Sequence, residues 1–300
     1  MNSERNTELP NFPYIAQDLK LNRWMSDIPI IDALTITQLV LPGAHNAGAD
    51  RKASYIGPGV SHWAACQNHS FYYQLTHGAR ALDLRLEDET GRNGGTTFWF
   101  HHKGWRSSRS LENLIMNVIR FLQENPDEFI VLDFHELRAG NQYFNYKEFN
   151  RLLVTHLGDR IIPRENALLT LGSLKQISRS QRVLVAAQSH PEIDRTYFCR
   201  QLKHEWSGIG DTNTDELKAH ITRVMKYPPS DLLPWSLSAT SYLIHMGPVS
   251  IEALLDQWFD PAISDWPLKS SIINADFFEK SNLVKHCRTA NIIKANGTNR

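Results

Sequence analysis

Short apolar runs rich in β-branched residues alternate along the chain with longer segments whose apolar positions recur at helical spacing. The runs predict strands at residues 38–41, 81–86, 97–101, 129–134, 182–187, 236–240 and 271–275. Between them, residues 111–124 place Leu111, Leu114, Ile115, Val118, Phe121 and Leu122 on one helical face, with Ser110 as N-cap. Asn125-Pro126 ends this helix, because the residue before proline avoids the α region. Further helices are predicted at 146–157, 214–225, 250–257 and 281–290. Strands alternating with helices imply an α/β protein with a largely parallel sheet, and 300 residues favour one closed or nearly closed barrel. Neither an internal repeat nor a low-complexity linker divides the chain, and Pro228-Pro229 reads as a loop. A single domain over residues 1–300, with its core at 24–290, is therefore expected.

Composition narrows the function by exclusion. Lys+Arg and Asp+Glu both number 32, so the chain lacks the cationic excess of a nucleic-acid partner or a polybasic membrane tether. Cys66, Cys199 and Cys287 match neither a zinc spacing nor a disulfide framework. The N-terminal MNSERNTELPNF has no apolar targeting core, and no window resembles a transmembrane helix. This predicts a cytoplasmic protein, or one exported without a standard signal, whose membrane contact is transient. Oligomeric state has no signature in the sequence.

The informative residues are ionisable ones at the ends of apolar runs, where a barrel gathers its chemistry. LVLPGAHN delivers His45 and Asn46 just past what reads as a Pro-Gly turn. ALDLRLE carries Asp83 and Arg85 on one strand face, TFWFHHK ends in His101 and His102, and SIINADFF ends in Asp276. Each has a structural alternative: a bonded loop histidine, an ion pair in the barrel mouth, one packing member of the doublet, a helix cap. Their joint occurrence at strand ends favours function, since inward charge is costly unless paired or used. Two imidazoles, a carboxylate and a guanidinium suit phosphodiester cleavage: one imidazole takes a proton, the other gives one, and arginine neutralises the phosphate.

The segments LPGAHNAGAD, HGARALDLRLE, FHHKGW and FLQENPDEFIVLDF resemble the X domain of phosphatidylinositol-specific phospholipases C, in order from Trp24 to Ala290. The resemblance is closest to the small bacterial, metal-independent enzymes. It implies a distorted or incomplete (β/α)8 TIM-type barrel in which the inositol 2-hydroxyl attacks the adjacent phosphorus and diacylglycerol leaves. On that pattern His45 resembles the general base, His102 the general acid, Asp276 the partner of His45, Asp83 the carboxylate beside the site and Arg85 the phosphate-binding arginine. A phospholipid head group at a membrane surface is the implied partner, with no nucleic acid. No cofactor and no metal are implied, because Arg85 stands where calcium-using relatives gather carboxylates.

Three positions depart from the bacterial pattern. Asn46 stands in place of an aspartate and leans toward calcium, against Arg85; His135 replaces a lysine near the head group; Gln188 replaces an arginine that contacts inositol hydroxyls. Trp206 is a candidate platform for the head group, and Trp63, with Phe71, Tyr72 and Tyr73 nearby, a candidate for the membrane-facing rim. Two other readings compete. A metal-dependent glycerophosphodiesterase would use Glu87, Asp88, Asp133 and Glu136, and a non-catalytic barrel would bind phosphoinositides without turnover.

Overall fold

A computed structural model of the protein describes residues 18–57, 59–140, 143–208 and 210–298. The N-terminal segment read for a targeting core lies outside the described residues. In chain order the elements are β1 (Leu41–Ala44), α1 (Val60–Ala64), α2 (Phe71–Thr76), β2 (Ala81–Thr90), β3 (Thr96–His102), β4 (Trp105–Ser110), α3 (Leu111–Glu124), β5 (Ile130–Arg138), α4 (Tyr146–Leu157) and α5 (Leu171–Ile177). They continue with β6 (Val183–Ala187), β7 (Phe198–Arg200), β8 (Lys203–Glu205), α6 (Thr214–Lys226), β9 (Trp235–Ser238), β10 (Ser241–Leu243), β11 (Gly247–Val249), α7 (Glu252–Phe259), α8 (Trp266–Lys269), β12 (Ile272–Ala275) and α9 (Leu283–Thr298). The strongly periodic helices fall where the pattern puts them. Ser110 accepts from Asn113 N while the Asn113 side chain accepts from Ser110 N, a capping box that starts α3.

Eight strands pair in parallel in the order β7-β6-β5-β2-β1-β12-β9-β8. The order begins and ends on β7 and β8, sequence neighbours that do not pair among the described residues, so the barrel is open at that seam. The hairpin β3–β4 adds antiparallel to β2 and brings the His101-His102 doublet to the barrel mouth. One contiguous apolar core runs from Trp24 to Ala295. No helix among the described residues is long and apolar enough to cross a membrane.

The first strand corrects the sequence reading. Residues 36–38 form a single 3-10 turn, and the strand is Leu41–Ala44, with Pro42 and Gly43 inside it rather than in a turn. Pro42 has no N–H, but its carbonyl still accepts from Arg80 N at 2.9 Å. Glycine at 43 is a matter of space: a Cβ there would meet Asn274 Oδ1 on the neighbouring β12 at 2.2 Å. Composition argued for a turn; strand packing overrode it.

At the end of the barrel away from the doublet, Arg80 and Glu128 precede β2 and β5 and are both fully buried. Arg80 donates to Glu128 Oε2 through Nε at 2.8 Å and Nη2 at 2.6 Å, and to the carbonyls of Leu75, Ala79, Leu21 and Asn22. Glu128 accepts from Met25 N and Ser26 N. The pair thus ties two strand starts to the N-terminal segment. Removing one partner leaves the other charge buried and uncompensated. Glu128→Ala is expected to cost about 3–5 kcal/mol, read as a lower urea midpoint at unchanged slope; a loss under about 1 kcal/mol would mean water reaches Arg80.

His101, the outward member of the doublet, is fully buried with Nε2 3.9 Å from Glu136 Oε1. Burial pushes its pKa down to about 4 from the ordinary 6.5. Between these values the folded chain lacks a proton that the unfolded chain binds, so stability rises with pH there. The contribution, about 3 kcal/mol, is complete above pH 6.5 and lost as pH falls toward 4. His101→Leu is expected to flatten the melting-temperature profile over that interval, whereas an unchanged slope would exclude His101 as a cause.

Candidate active site

Three adjacent strands, β2, β1 and β12, deliver the core of the site. His45 follows β1 immediately, with its N donating to Ala275 O at 3.2 Å. Asp276 follows β12, the strand beside β1, and the two meet at 2.7 Å between His45 Nδ1 and Asp276 Oδ1. Gln67 Nε2 donates to the carbonyls of His45 (2.8 Å) and Ala275 (3.0 Å), which fixes the two strand ends together. From β2, Arg85 Nη2 lies 2.9 Å from Asp83 Oδ2 and 2.9 Å from His45 Nε2. A guanidinium only donates, so Nε2 of His45 accepts and Nδ1 carries the proton given to Asp276. The ring is thereby held with a basic lone pair at Nε2. Burial would raise the Asp83 pKa, but the Arg85 charge outweighs it and holds the carboxyl well below the usual carboxylate range.

His102 approaches from the β3–β4 hairpin. Its Nδ1 donates to the carbonyl of Ala64, the last residue of α1, at 2.9 Å, which turns Nε2 toward His45. The two rings are 6.2 Å apart between centroids and nearly perpendicular at 85°. Burial, followed by the Arg85 and His45 charges, lowers the His102 pKa well below its ordinary value. Cys66 Sγ sits 3.7 Å behind His102 Nδ1, and burial pushes its thiol pKa well up.

Between the imidazoles opens a pocket of about 360 Å³. One wall carries His135, Glu136 and Trp206; the other carries Lys103 and Tyr242, with Lys103 Nζ 3.6 Å from the Tyr242 ring centre. Trp206 lies 5.8 Å from the His45 ring, 5.4 Å from His135 and beneath the Arg85 guanidinium at 5.0 Å. The β2–β5 register shifts after Leu84, so Arg85 pairs with Glu136 and His135 is the extra residue. That bulge turns His135 and Glu136 to the pocket.

The structure therefore brings together His45, Arg85, His102, Asp276, His135 and Trp206, with Asp83 behind Arg85. It does not bring Asn46 or Gln188 to the pocket. Asn46 adopts a left-handed backbone at φ 43°, its N donates to Asp83 Oδ2, and its side chain is buried away from the cavity, where Oδ1 and Nδ2 have no partner. Gln188 bonds to the Tyr146 hydroxyl on α4 instead. Trp63 lies half-buried on α1, next to the residue that holds His102, and does not line the pocket. Phe71 is buried against Phe100, and Tyr72 lies half-buried under Arg120 of α3.

The carboxylates needed by a glycerophosphodiesterase do not converge. Glu87 pairs with Arg138, Asp88 accepts from Gly140 N and Asn145 N, Asp133 pairs with His204, and only Glu136 lines the pocket. Among the described residues, His45, Cys66 and Asp276 form the one group whose ligand atoms lie within 4.8 Å of each other. His45 Nδ1 and Asp276 Oδ1 are already joined by a hydrogen bond, and the Arg85 guanidinium lies 2.9 Å from His45 Nε2, so the set does not fit a divalent cation. A calcium site at Asn46 and Asp83 fits no better, because the Arg85 guanidinium holds Asp83 Oδ2.

Lys103, Tyr242, Gln67 and His204 were not legible in the sequence. Lys103 adjoins His102, but the others reach the site from short strands or loops with no periodic signal.

No family model matches the chain. Among curated proteins it is similar to a variant-surface-glycoprotein phospholipase C of Trypanosoma cruzi (30% identical, covering 55% of this chain and 50% of the relative). It is also similar to PI-PLC X domain-containing protein 3 of Danio rerio (27%, covering 49% and 51%). A third relative is a 1-phosphatidylinositol phosphodiesterase of Listeria monocytogenes (27%, covering 44% and 38%). The chain spans about half the length, or less, of these relatives. In fold it matches the phosphatidylinositol-specific phospholipase C of Listeria monocytogenes at TM-score 0.66 and 17% identity, covering 90% of this chain and 99% of that one. A Staphylococcus aureus enzyme of the same name matches at TM-score 0.65 and 15% identity, covering 90% and 97%. The comparisons agree in kind: the chain has the barrel fold of the bacterial phosphatidylinositol-specific phospholipases C, and about half of it is similar in sequence to PI-PLC X domain-containing proteins.

Proposed function

We propose that the chain is a phospholipase C-type phosphodiesterase that cleaves the glycerol-phosphate bond of a phosphatidylinositol-like lipid, without metal, by attack of a hydroxyl of the head group itself. The observation that carries this reading is the pair of imidazoles facing across one pocket, His45 with its lone pair at Nε2 and His102 with Nε2 toward the same space.

In the reaction, His45 Nε2 takes the proton of the attacking hydroxyl, and Asp276 stabilises the imidazolium that forms. The hydroxyl oxygen bonds to phosphorus as the glycerol oxygen leaves, giving a five-membered cyclic phosphate. His102 Nε2 supplies the proton to the departing oxygen. Arg85 holds His45 Nε2 in the free protein; a phosphodiester anion draws the guanidinium to its own oxygens and so frees the lone pair. The same anion offsets the positive field that lowers the His102 pKa, so substrate binding loads the acid with its proton.

Trp206, His135 and Glu136 supply an aromatic face and polar groups for a polyol head group. Contact with a lipid surface is assigned to Trp63 together with the exposed Ile56, Ile244 and Met246. Ile244 and Met246 sit on the β10–β11 turn, where Gly247 abuts His62 and Trp63 of α1.

Phosphorus NMR of the protein with phosphatidylinositol in detergent micelles tests the reading. A cyclic phosphate signal that survives a chelator is expected. A signal lost with chelator and restored by calcium overturns the metal-free mechanism, and no cyclic product in several detergents leaves a barrel that only binds. Separately, His45→Ala and His102→Ala should each lower turnover about 10²–10⁴-fold with little change in melting temperature. Near-normal rates in both would sink the acid–base assignment.

A further inference from the structure

One buried His–Asp pair takes no part in the chemistry above. His204 Nε2 and Asp133 Oδ2 are 2.6 Å apart, and both side chains are almost wholly buried. Asp133 lies on β5 and His204 on β8, strands far apart in the sheet order and on opposite sides of the open seam. Gln201, in the link between β7 and β8, makes a second tie across the same gap, its Nε2 donating to His135 O at 2.7 Å. Where the backbone ladder stops, side chains on β8 and in the link before it reach over to β5.

The charges around the pair also demand an account. Asp83 and Asp133 are register partners on adjacent strands, so two buried carboxylates stand side by side. Like charges directly opposite one another destabilise a sheet unless compensated. Arg85 answers Asp83 at 2.9 Å, and His204 is the group placed to answer Asp133. Burial works against a charge on His204, and so does Arg85, but Asp133, with help from Asp83, raises its pKa above the ordinary value. Burial and Asp83 lift the Asp133 pKa as well, and His204 and Arg85 oppose that rise, so His204 stands to Asp133 as Arg85 stands to Asp83.

The His204 ring also touches the head-group wall. It lies 3.9 Å from the His135 ring and nearly parallel to Trp206, at 15° and 5.7 Å. Trp206 is two residues beyond His204 and moves with β8. We propose that His204 is a positioning residue, an imidazolium that, bonded to Asp133, clasps β8 to β5 across the open seam and so sets Trp206 and His135 against the head group. The cation at 3.9 Å adds to burial in keeping His135 neutral, with a pKa of about 4. This rests on the phosphodiesterase reading for what the wall holds, but not for the clasp itself.

Nitrogen-edited NMR of the full chain labelled at histidine tests the clasp directly. At pH 7.5 His204 is expected to show both ring nitrogens protonated and His135 only one, with His204 assigned by loss of its signal in His204→Gln or by its through-space contact to Trp206. The glutamine variant keeps a donor for Asp133 and removes the charge. It is expected to raise KM about tenfold, and to weaken binding of inositol cyclic phosphate equally, with kcat changed less than about threefold. A neutral His204 at pH 7.5 overturns the proposal, as does a folded His204→Gln with wild-type KM. If that variant fails to fold, the protonation state read on the unaltered protein still decides. A wild-type protein that cleaves no phosphatidylinositol-type lipid overturns the proposed function while the NMR result stands.

Discussion

The buried guanidinium of Arg85 is the constraint on which the site depends. A charge in a barrel mouth requires an answering charge, and Asp83, two residues earlier on the same strand face, supplies it at 2.9 Å. What Asp83 leaves unused points at His45 Nε2, and because arginine can only donate, it dictates the tautomer of that ring. The proton is sent to Nδ1 and so to Asp276. The same cation lowers the His102 pKa and holds Asp83 Oδ2 where a divalent ion would need it. One residue thus sets the protonation of one imidazole, biases the other and disfavours a metal.

Stability and chemistry are kept at opposite ends of the strands. Arg80 and Glu128 lock the starts of β2 and β5 to the N-terminal segment, and both are fully satisfied by hydrogen bonds. At the other end, polar atoms are left without partners, including Arg85 Nε, Asp83 Oδ1, Asp133 Oδ1 and His135 Nδ1. Partly satisfied polar groups are a cost in a core and a resource in a binding site. The open seam between β7 and β8 belongs to that second end, since the residues crossing it pack against the pocket wall of His135 and Trp206.

Local signals were legible where the physics is local. The apolar stripe from Leu111 to Leu122, the Ser110 cap and the Asn125-Pro126 stop define α3 without reference to anything else. Same-face placement of Asp83 and Arg85 follows from strand geometry alone. The reading failed where a distant neighbour decided. Pro42-Gly43 reads as a turn until Asn274 on another strand is seen to need the space. Gln188 reads as a head-group residue at the end of β6, yet Tyr146 on α4 captures it.

By itself the sequence determined the alternation of strands and helices, the residue types at the strand ends and the family that those segments resemble. It placed histidine, aspartate and arginine together at the ends of apolar runs, the residue types on which acid–base chemistry draws. Tertiary structure alone decided which of them meet. The order β2-β1-β12 joins His45 to Arg85 across 40 residues of chain and to Asp276 across 231. A single-residue bulge turned His135 to the pocket, and a strand of three residues brought His204 to Asp133. Periodicity records which face of an element is buried; it does not record which element lies next to it, and this site is made of such neighbours.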